Sequence, residues 1–326
     1  MSLTEAAAFE GVAGHSRALR LLESQLQRDH LAQAYLFTGE ANLGKTEVAR
    51  RLAKALLPEH PLERHPDYWE DDRGRAIPID EIRLLPDRQP EFHAQSLQHF
   101  LSLKPAIATR RVALITSVGR LKDEVQGILL KTLEEPHPGR VIILTSPGIS
   151  PFVVLPTVVS RCQRLSFHAV AEDEIQALLE ARGVAAATAA GLARLSRGRP
   201  GWALRAAQDA DVLTRHAAWL ERLQDVMGGP ADAALRLAAE LDSAHLAWRN
   251  SERWGGPTPE EGMADPLLEA LGSWQLELRR RLQHDSRPGP WARLLELSYD
   301  TIGYHEQNVS PRLNLECFLL ECRRAS

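Results

Sequence analysis

Three uninterrupted apolar runs stand out in the first half of the chain: Ala34-Tyr35-Leu36-Phe37-Thr38, Val112-Ala113-Leu114-Ile115 and Val141-Ile142-Ile143-Leu144-Thr145. Runs of this length without polar alternation are what strands buried on both faces look like, as in a parallel sheet covered by helices. A shorter strand is predicted at Leu165-Ser166-Phe167, and another closes the charged, proline-rich stretch 58–78. Between the strands the apolar period changes to three and four. Leu19, Leu22, Leu26 and Ala32 mark one amphipathic helix; Val48, Leu52, Ala55 and Leu56 mark a second; a third covers 122–135. Ile79-Asp80-Glu81-Ile82-Arg83 opens a further helix, with Asp80 as its expected N-cap. Strands alternating with helices predict a three-layer α/β unit around a parallel five-stranded sheet.

From Ala171 onward the pattern is helical only. Glu172–Arg182, Ala186–Ser196 and Pro200–Gln208 are short segments separated by Gly183 and Gly198, which suits a small three-helix lid. Beyond Val212 the stripes lengthen: Leu213, Ala217, Leu220, Leu223 and Met227, then Leu267, Leu271, Trp274, Leu278 and Leu282 after the loop Gly255-Gly256-Pro257-Thr258-Pro259. A last helix carries Leu313, Cys317 and Leu320. These stripes read as core. The expected domains are 1–168, 169–208 and 209–326.

Composition narrows the class. A chain of 326 residues is long for one core, and 44% apolar with 25% charged residues is ordinary for a globular protein. No apolar run approaches the ~20 residues of a membrane helix, and the first residues lack the basic start and apolar core of a signal peptide. A cytoplasmic protein is therefore expected. A net charge of −4 argues against nucleic-acid binding by electrostatics as the main task. Three widely spaced cysteines provide neither a disulfide framework nor a zinc knuckle. His60 and His65 have no cysteine near them and read as solvated.

The chemistry enters at Gly39-Glu40-Ala41-Asn42-Leu43-Gly44-Lys45-Thr46, which fits G-x-x-x-x-G-K-[ST] at every fixed position. It sits between a buried strand and a helix, the order a phosphate loop requires. Its backbone N–H groups and the helix N-terminus suit an anion, Lys45 adds a full charge, and the Thr46 hydroxyl suits Mg²⁺. Gly39, Asn42, Leu43, Gly44, Lys45, Thr46 and Glu47 are the expected nucleotide-binding residues.

Further along, Leu129-Leu130-Lys131-Thr132-Leu133-Glu134-Glu135-Pro136 is followed by Leu155-Pro156-Thr157 and Ser160-Arg161-Cys162. These strings behind a phosphate loop resemble the clamp-loader subunits of bacterial DNA replication, of the AAA+ class. Supporting matches are Ala34–Gly39, His65-Pro66-Asp67, Ile79–Arg83 and Asn308-Val309 with Pro311. The resemblance runs through essentially the whole chain. It implies an AAA+ module, a three-helix lid and an all-α collar that mediates oligomerisation.

The hydrolysing members (gamma and tau) end the strand before Leu121 with Asp-Glu. Here the positions are Thr116 and Ser117. A hydroxyl does not accept a proton from water at neutral pH, and the metal-orienting acid is gone. Asp123 and Glu124 lie on the following helix. Where those members carry a phosphate-sensing arginine, the chain has Gly201, with Arg199 and Arg205 nearby, and the family's four-cysteine zinc module is missing from 57–78. This pattern is similar to the delta-prime branch. The resemblance to that branch implies that Arg161 acts as an arginine finger in the ATP site of a neighbouring motor subunit, since a charged planar fork grips phosphate oxygens bidentately. Cys162 reads as a packing residue.

The resemblance implies a non-hydrolysing subunit of the DNA polymerase III clamp loader. Its partners would be gamma/tau motor subunits and a delta subunit in a heteropentamer, the sliding clamp, primer-template DNA through the complex, and subunits linked to single-strand-binding protein, within the replisome at the nucleoid. ATP or ADP with Mg²⁺ would bind weakly, and no zinc or membrane is involved. Two rival readings remain: a hydrolysing gamma/tau-like motor, supported by Lys45 and Thr46 but opposed by Thr116 and Ser117, and a free-standing AAA+ repair protein.

Overall fold

The computed structural model describes residues 8–72, 76–83, 90–134, 137–151, 153–253, 265–306 and 310–325. Glu135, Pro136, Asn308, Val309 and the 255–259 loop lie outside them. The chain divides into two compact units, Met1–Leu204 and Arg205–Ser326.

The first unit opens with α1 (Ser16–Gln27), β1 (Ala34–Thr38), α2 (Lys45–Leu56), β2 (Tyr68–Asp71), α3 (Ile79–Ile82) and α4 (Leu97–Ser102). It continues through β3 (Arg111–Ile115), α5 (Asp123–Glu134), β4 (Arg140–Ser146), α6 (Pro156–Arg161) and β5 (Gln163–Ser166). Helices α7 (Glu172–Glu180), α8 (Ala186–Ser196) and α9 (Pro200–Ala206) follow, the last crossing the boundary between units. The strands form one parallel sheet in the order β2-β3-β4-β1-β5.

Every residue of β1, β3 and β4 is buried, and successive side chains enter different cores, as the period of two requires. Leu36, Ala113, Ile115, Ile142 and Leu144 face one core with Leu97, Phe100, Leu129 and Val158 from α4, α5 and α6. Tyr35, Phe37, Val112, Leu114 and Ile143 face the other with Leu22, Val48 and Leu52 from α1 and α2. Burying such a side chain stabilises by about 1.5–3 kcal/mol, so the two helical layers fix the sheet and with it the loops at its strand ends.

Three expectations are corrected. Helix α3 is a single turn capped by Pro78, with no side-chain cap, so Asp80 lies inside it. His65 is buried rather than solvated; its Nδ1 accepts the Asp67 N–H at 3.1 Å. Asp67 is itself fully buried and accepts N–H groups from Ala106, Ile107 and Ala108 at 2.7–3.0 Å, so His65-Pro66-Asp67 is a loop clasp.

The second unit contains α10 (Val212–Gly228), α11 (Ala231–Arg253), α12 (Pro266–His284), α13 (Pro288–Glu306) and α14 (Pro311–Ala325). Its core is centred on Trp274, fully buried, with Leu223, Leu241, Leu271 and Phe318. The Trp274 Nε1–H donates to the Trp219 carbonyl at 2.7 Å. The expected core stripe of Leu313 and Cys317 on the last helix is overturned. On α14 the buried stripe is Leu315, Phe318, Leu319 and Cys322, while Leu313 and Cys317 are exposed.

Candidate functional site

Between β1 and α2 the chain turns through Gly39–Gly44. Gly39 has φ +147°, and a Cβ there would lie 2.4 Å from the Phe167 carbonyl oxygen, so only glycine fits. Its N–H donates to the Ser146 carbonyl at the end of β4. Gly44 is the N-cap of α2, with φ +95°. Three donors then tie four of the loop's carbonyls. Lys45 Nζ donates to Gly39 O and Glu40 O, both at 2.5 Å. The Gly201 N–H donates to Asn42 O at 2.9 Å, and His15 Nε2 contacts Leu43 O at 2.8 Å. With these carbonyls engaged, the loop's N–H groups and the N-terminus of α2 are the groups suited to an anion. This donor set fits a phosphate.

Burial pushes the Lys45 ammonium down to about 8, against the opposing pull of Glu40. His15 is lowered too, chiefly by burial against the Phe167 ring 4.6 Å away. Because a carbonyl oxygen can only accept, His15 Nε2 carries a proton and donates to the loop. Thr46 is half-buried in the first turn of α2 and Glu47 is exposed beside it. Nothing in the sequence pattern pointed to His15, since a lone histidine after a glycine carries no spacing signal.

Helix α9 meets the same loop. A Cβ on Gly201 would stand 3.0 Å from the Asn42 carbonyl oxygen, so a side chain there would displace the backbone contact that now joins α9 to the loop.

At the end of β3, Thr116 Oγ1 donates to the Asp71 carbonyl at 3.0 Å, and the Ser117 N–H donates to Thr145 Oγ1 at 2.8 Å. The carboxylate beside them, Asp71, is fully buried and accepts from Arg120 Nη1 at 2.8 Å, while Arg120 Nη2 donates to Asp71 O at 2.6 Å. That arginine clamp across β2 and β3 was invisible in the sequence, because its two residues lie far apart. It commits the nearby acid to structure. Asp123 and Glu124 are exposed on the first turn of α5.

Arg161 is the last residue of α6. Its Nη1 donates to the Thr157 carbonyl at 3.0 Å, and Nη2 lies 2.5 Å from Glu134 Oε1 at the end of α5. The side chain borders a small cleft of about 170 Å³ with Gln33, Thr132 and Gln163. An ion pair this exposed stabilises a fold by about 0–1 kcal/mol. Cys162 is half-buried, and burial pushes its thiol up to about 12, so it stays protonated and packs. A wider cleft of about 470 Å³ opens beside β2, lined by Trp69, Tyr68, His93 and Arg50, and includes no residue of the phosphate loop.

Residues 14–171 match the family model described as DNA polymerase III, delta subunit. The tau subunit of DNA polymerase III from Bacillus subtilis is 30% identical over 183 residues, covering 51% of this chain and 30% of the relative. The delta' subunit from the same organism is 27% identical over 176 residues, covering 49% of each. The chain thus spans about half or less of these relatives, and the similarity is shared between subunits named tau and delta'. A crystal structure of a DNA polymerase III gamma-subunit-related protein from Thermotoga maritima has the same fold, with a TM-score of 0.51 at 18% identity, covering 93% of this chain and 98% of that one. Among the described residues no helix is long and apolar enough to cross a membrane, and none form a cluster that could hold a metal ion.

Proposed function

We propose that this chain, whose residues 14–171 carry a domain of the DNA polymerase III clamp-loader family, is a delta-prime-type subunit. It does not hydrolyse ATP and supplies Arg161 in trans to a hydrolysing neighbour. The observation that carries this reading is the contrast between two strand ends. The β1–α2 loop keeps a complete phosphate cradle, while the end of β3 offers the hydroxyls of Thr116 and Ser117 beside an aspartate committed to Arg120. A chain able to hold a nucleotide but without a base for the attacking water is a poor motor. Its exposed Arg161, on the last turn of α6, is a group that can act outside the chain. Motor subunits of the gamma/tau kind and a delta subunit are the partners this reading requires, with the sliding clamp and primed DNA as what the complex acts on. The test is assembly. Mixed with the motor subunits of its own organism, the chain is expected to elute with them as one species; a chain that stays separate at micromolar concentration contradicts the proposal.

In this reading the phosphate loop binds ATP or ADP weakly, through Gly39, Gly44, Lys45 and the first turn of α2. Thr46 is the group that would meet a nucleotide-bound Mg²⁺, with little help from the acid-free end of β3. Binding should then depend on pH with a definite sign. A bound phosphate favours the charged form of Lys45, whose pKa of about 8 lies far below the ordinary lysine value. Affinity is therefore full below pH 8 and falls as pH rises through it. Between pH 7 and pH 9 ADP should bind about tenfold more weakly, the loss following the charged fraction of one group. Calorimetry across that range measures it. A flat profile, or one unchanged in Lys45→Ala, contradicts this assignment.

A further inference from the structure

We propose that Glu134 is a positioning residue for Arg161, aiming the guanidinium before the chain meets a neighbour. The inference rests on the finger reading above and deepens it.

The guanidinium is pinned at both tips of its fork from two different helices. Nη2 lies 2.5 Å from Glu134 Oε1, at the end of α5, and Nη1 donates to Thr157 O, within α6 itself, at 3.0 Å. The Nε–H takes no part in these contacts, and a second N–H remains on Nη2, so the fork keeps donors for an outside acceptor.

A role in holding the two helices together would be redundant. Their packing is already set by Leu129, Leu133 and Val158, all buried. Gln126 adds a bond from its Nε2 to Val153 O at 3.1 Å and accepts the Leu155 N–H at 3.0 Å, which ties α5 to the start of α6. What Glu134 adds at the other end of α6 is control of one long side chain. An unrestrained arginine must lose its rotamer freedom each time it engages a phosphate; a side chain already held loses much less.

Nor is the pair built to block the finger. It uses one carboxylate oxygen and one nitrogen, and Glu134 and Arg161 side chains are 46% and 34% exposed. A contact so open to water is weak enough for a polyphosphate to share the guanidinium or displace the carboxylate.

The experiment uses the full complex with its motor subunits, in which only the motor site facing Arg161 is left competent and the others are silenced at their phosphate-loop lysines. Glu134→Ala is expected to lower kcat at that site about three- to tenfold, the cost of ordering one long side chain at the moment of reaction, with KM for ATP unchanged. Binding of ADP with aluminium fluoride, which mimics the transferring phosphoryl group, should weaken by the same factor. Glu134→Gln, whose amide oxygen accepts the same bond, should stay within about twofold of the unsubstituted complex. In an Arg161→Ala background Glu134→Ala should change nothing further. Three outcomes overturn the inference while sparing the finger: no loss in Glu134→Ala, an equal loss in both backgrounds, or a gain in turnover. If Arg161→Ala is itself without effect, the finger reading fails, and this inference with it.

Discussion

In the assembled complex, Arg161→Ala is expected to remove most turnover at one motor site while leaving this chain folded and able to assemble. The side chain sits on the solvent edge of α6, where its ion pair with Glu134 is open to water. Its loss should change stability by no more than about 1 kcal/mol. A guanidinium acting on developing γ-phosphate charge is a different matter: arginine fingers are worth about 10³–10⁵ in rate, roughly 4–7 kcal/mol of barrier. Arg161→Lys should rescue poorly, because an ammonium on a flexible stem does not reproduce a planar fork. Under the proposed reading only one motor site faces this chain, so total ATPase should fall only in part, whereas clamp loading, which would need coordinated sites, should fall further. Unchanged ATPase and loading rates with normal assembly would return Arg161 to an ordinary helix-end arginine.

The second large effect concerns assembly. A fragment of residues 1–208 is expected to fold yet lose its affinity for the motor subunits by more than about a hundredfold, the loss that follows removal of the main surface of a permanent interface. The fragment keeps both cores of the sheet and the whole of α9. The core around Trp274 lies entirely in the part removed. Circular dichroism checks folding, and size-exclusion with the motor subunits checks assembly. A folded fragment that still co-elutes would contradict the assignment of residues 209–326 as the oligomerising part.

The contrast between these two variants reflects what a sequence can and cannot reveal. The strands were legible because residues buried on both faces must be apolar without a break; Ala34–Thr38 matches β1 at both ends. The turn between β1 and α2 was legible because its motif fixes glycines and a lysine at fixed spacing. Asp80 misled because an acidic residue early in a helix is favoured both as a cap and in the first turn, and Pro78 took the cap. On α14 leucine and cysteine are found all round the helix, so periodicity alone could not choose between the Leu313–Cys317 stripe and the Leu315–Cys322 face. The choice was made by the neighbouring helices α10, α11 and α13. Long-range polar pairs were the least legible. The Arg120–Asp71 clamp, the His15 contact to Leu43 and the Glu134–Arg161 pair each join residues whose separation in sequence carries no periodic signal.

The most direct test of a non-hydrolysing subunit that serves a neighbour is ATP turnover measured three ways: by this chain alone, by the motor subunits alone, and by the reconstituted complex. Under the proposed reading the chain alone should show none above background, because Thr116 and Ser117 cannot activate water, and the complex should exceed the sum of its parts, as expected of an Arg161 that completes a neighbouring site. Multiple turnover by the isolated chain that disappears in Lys45→Ala, or a complex no faster than its separate components, would contradict it.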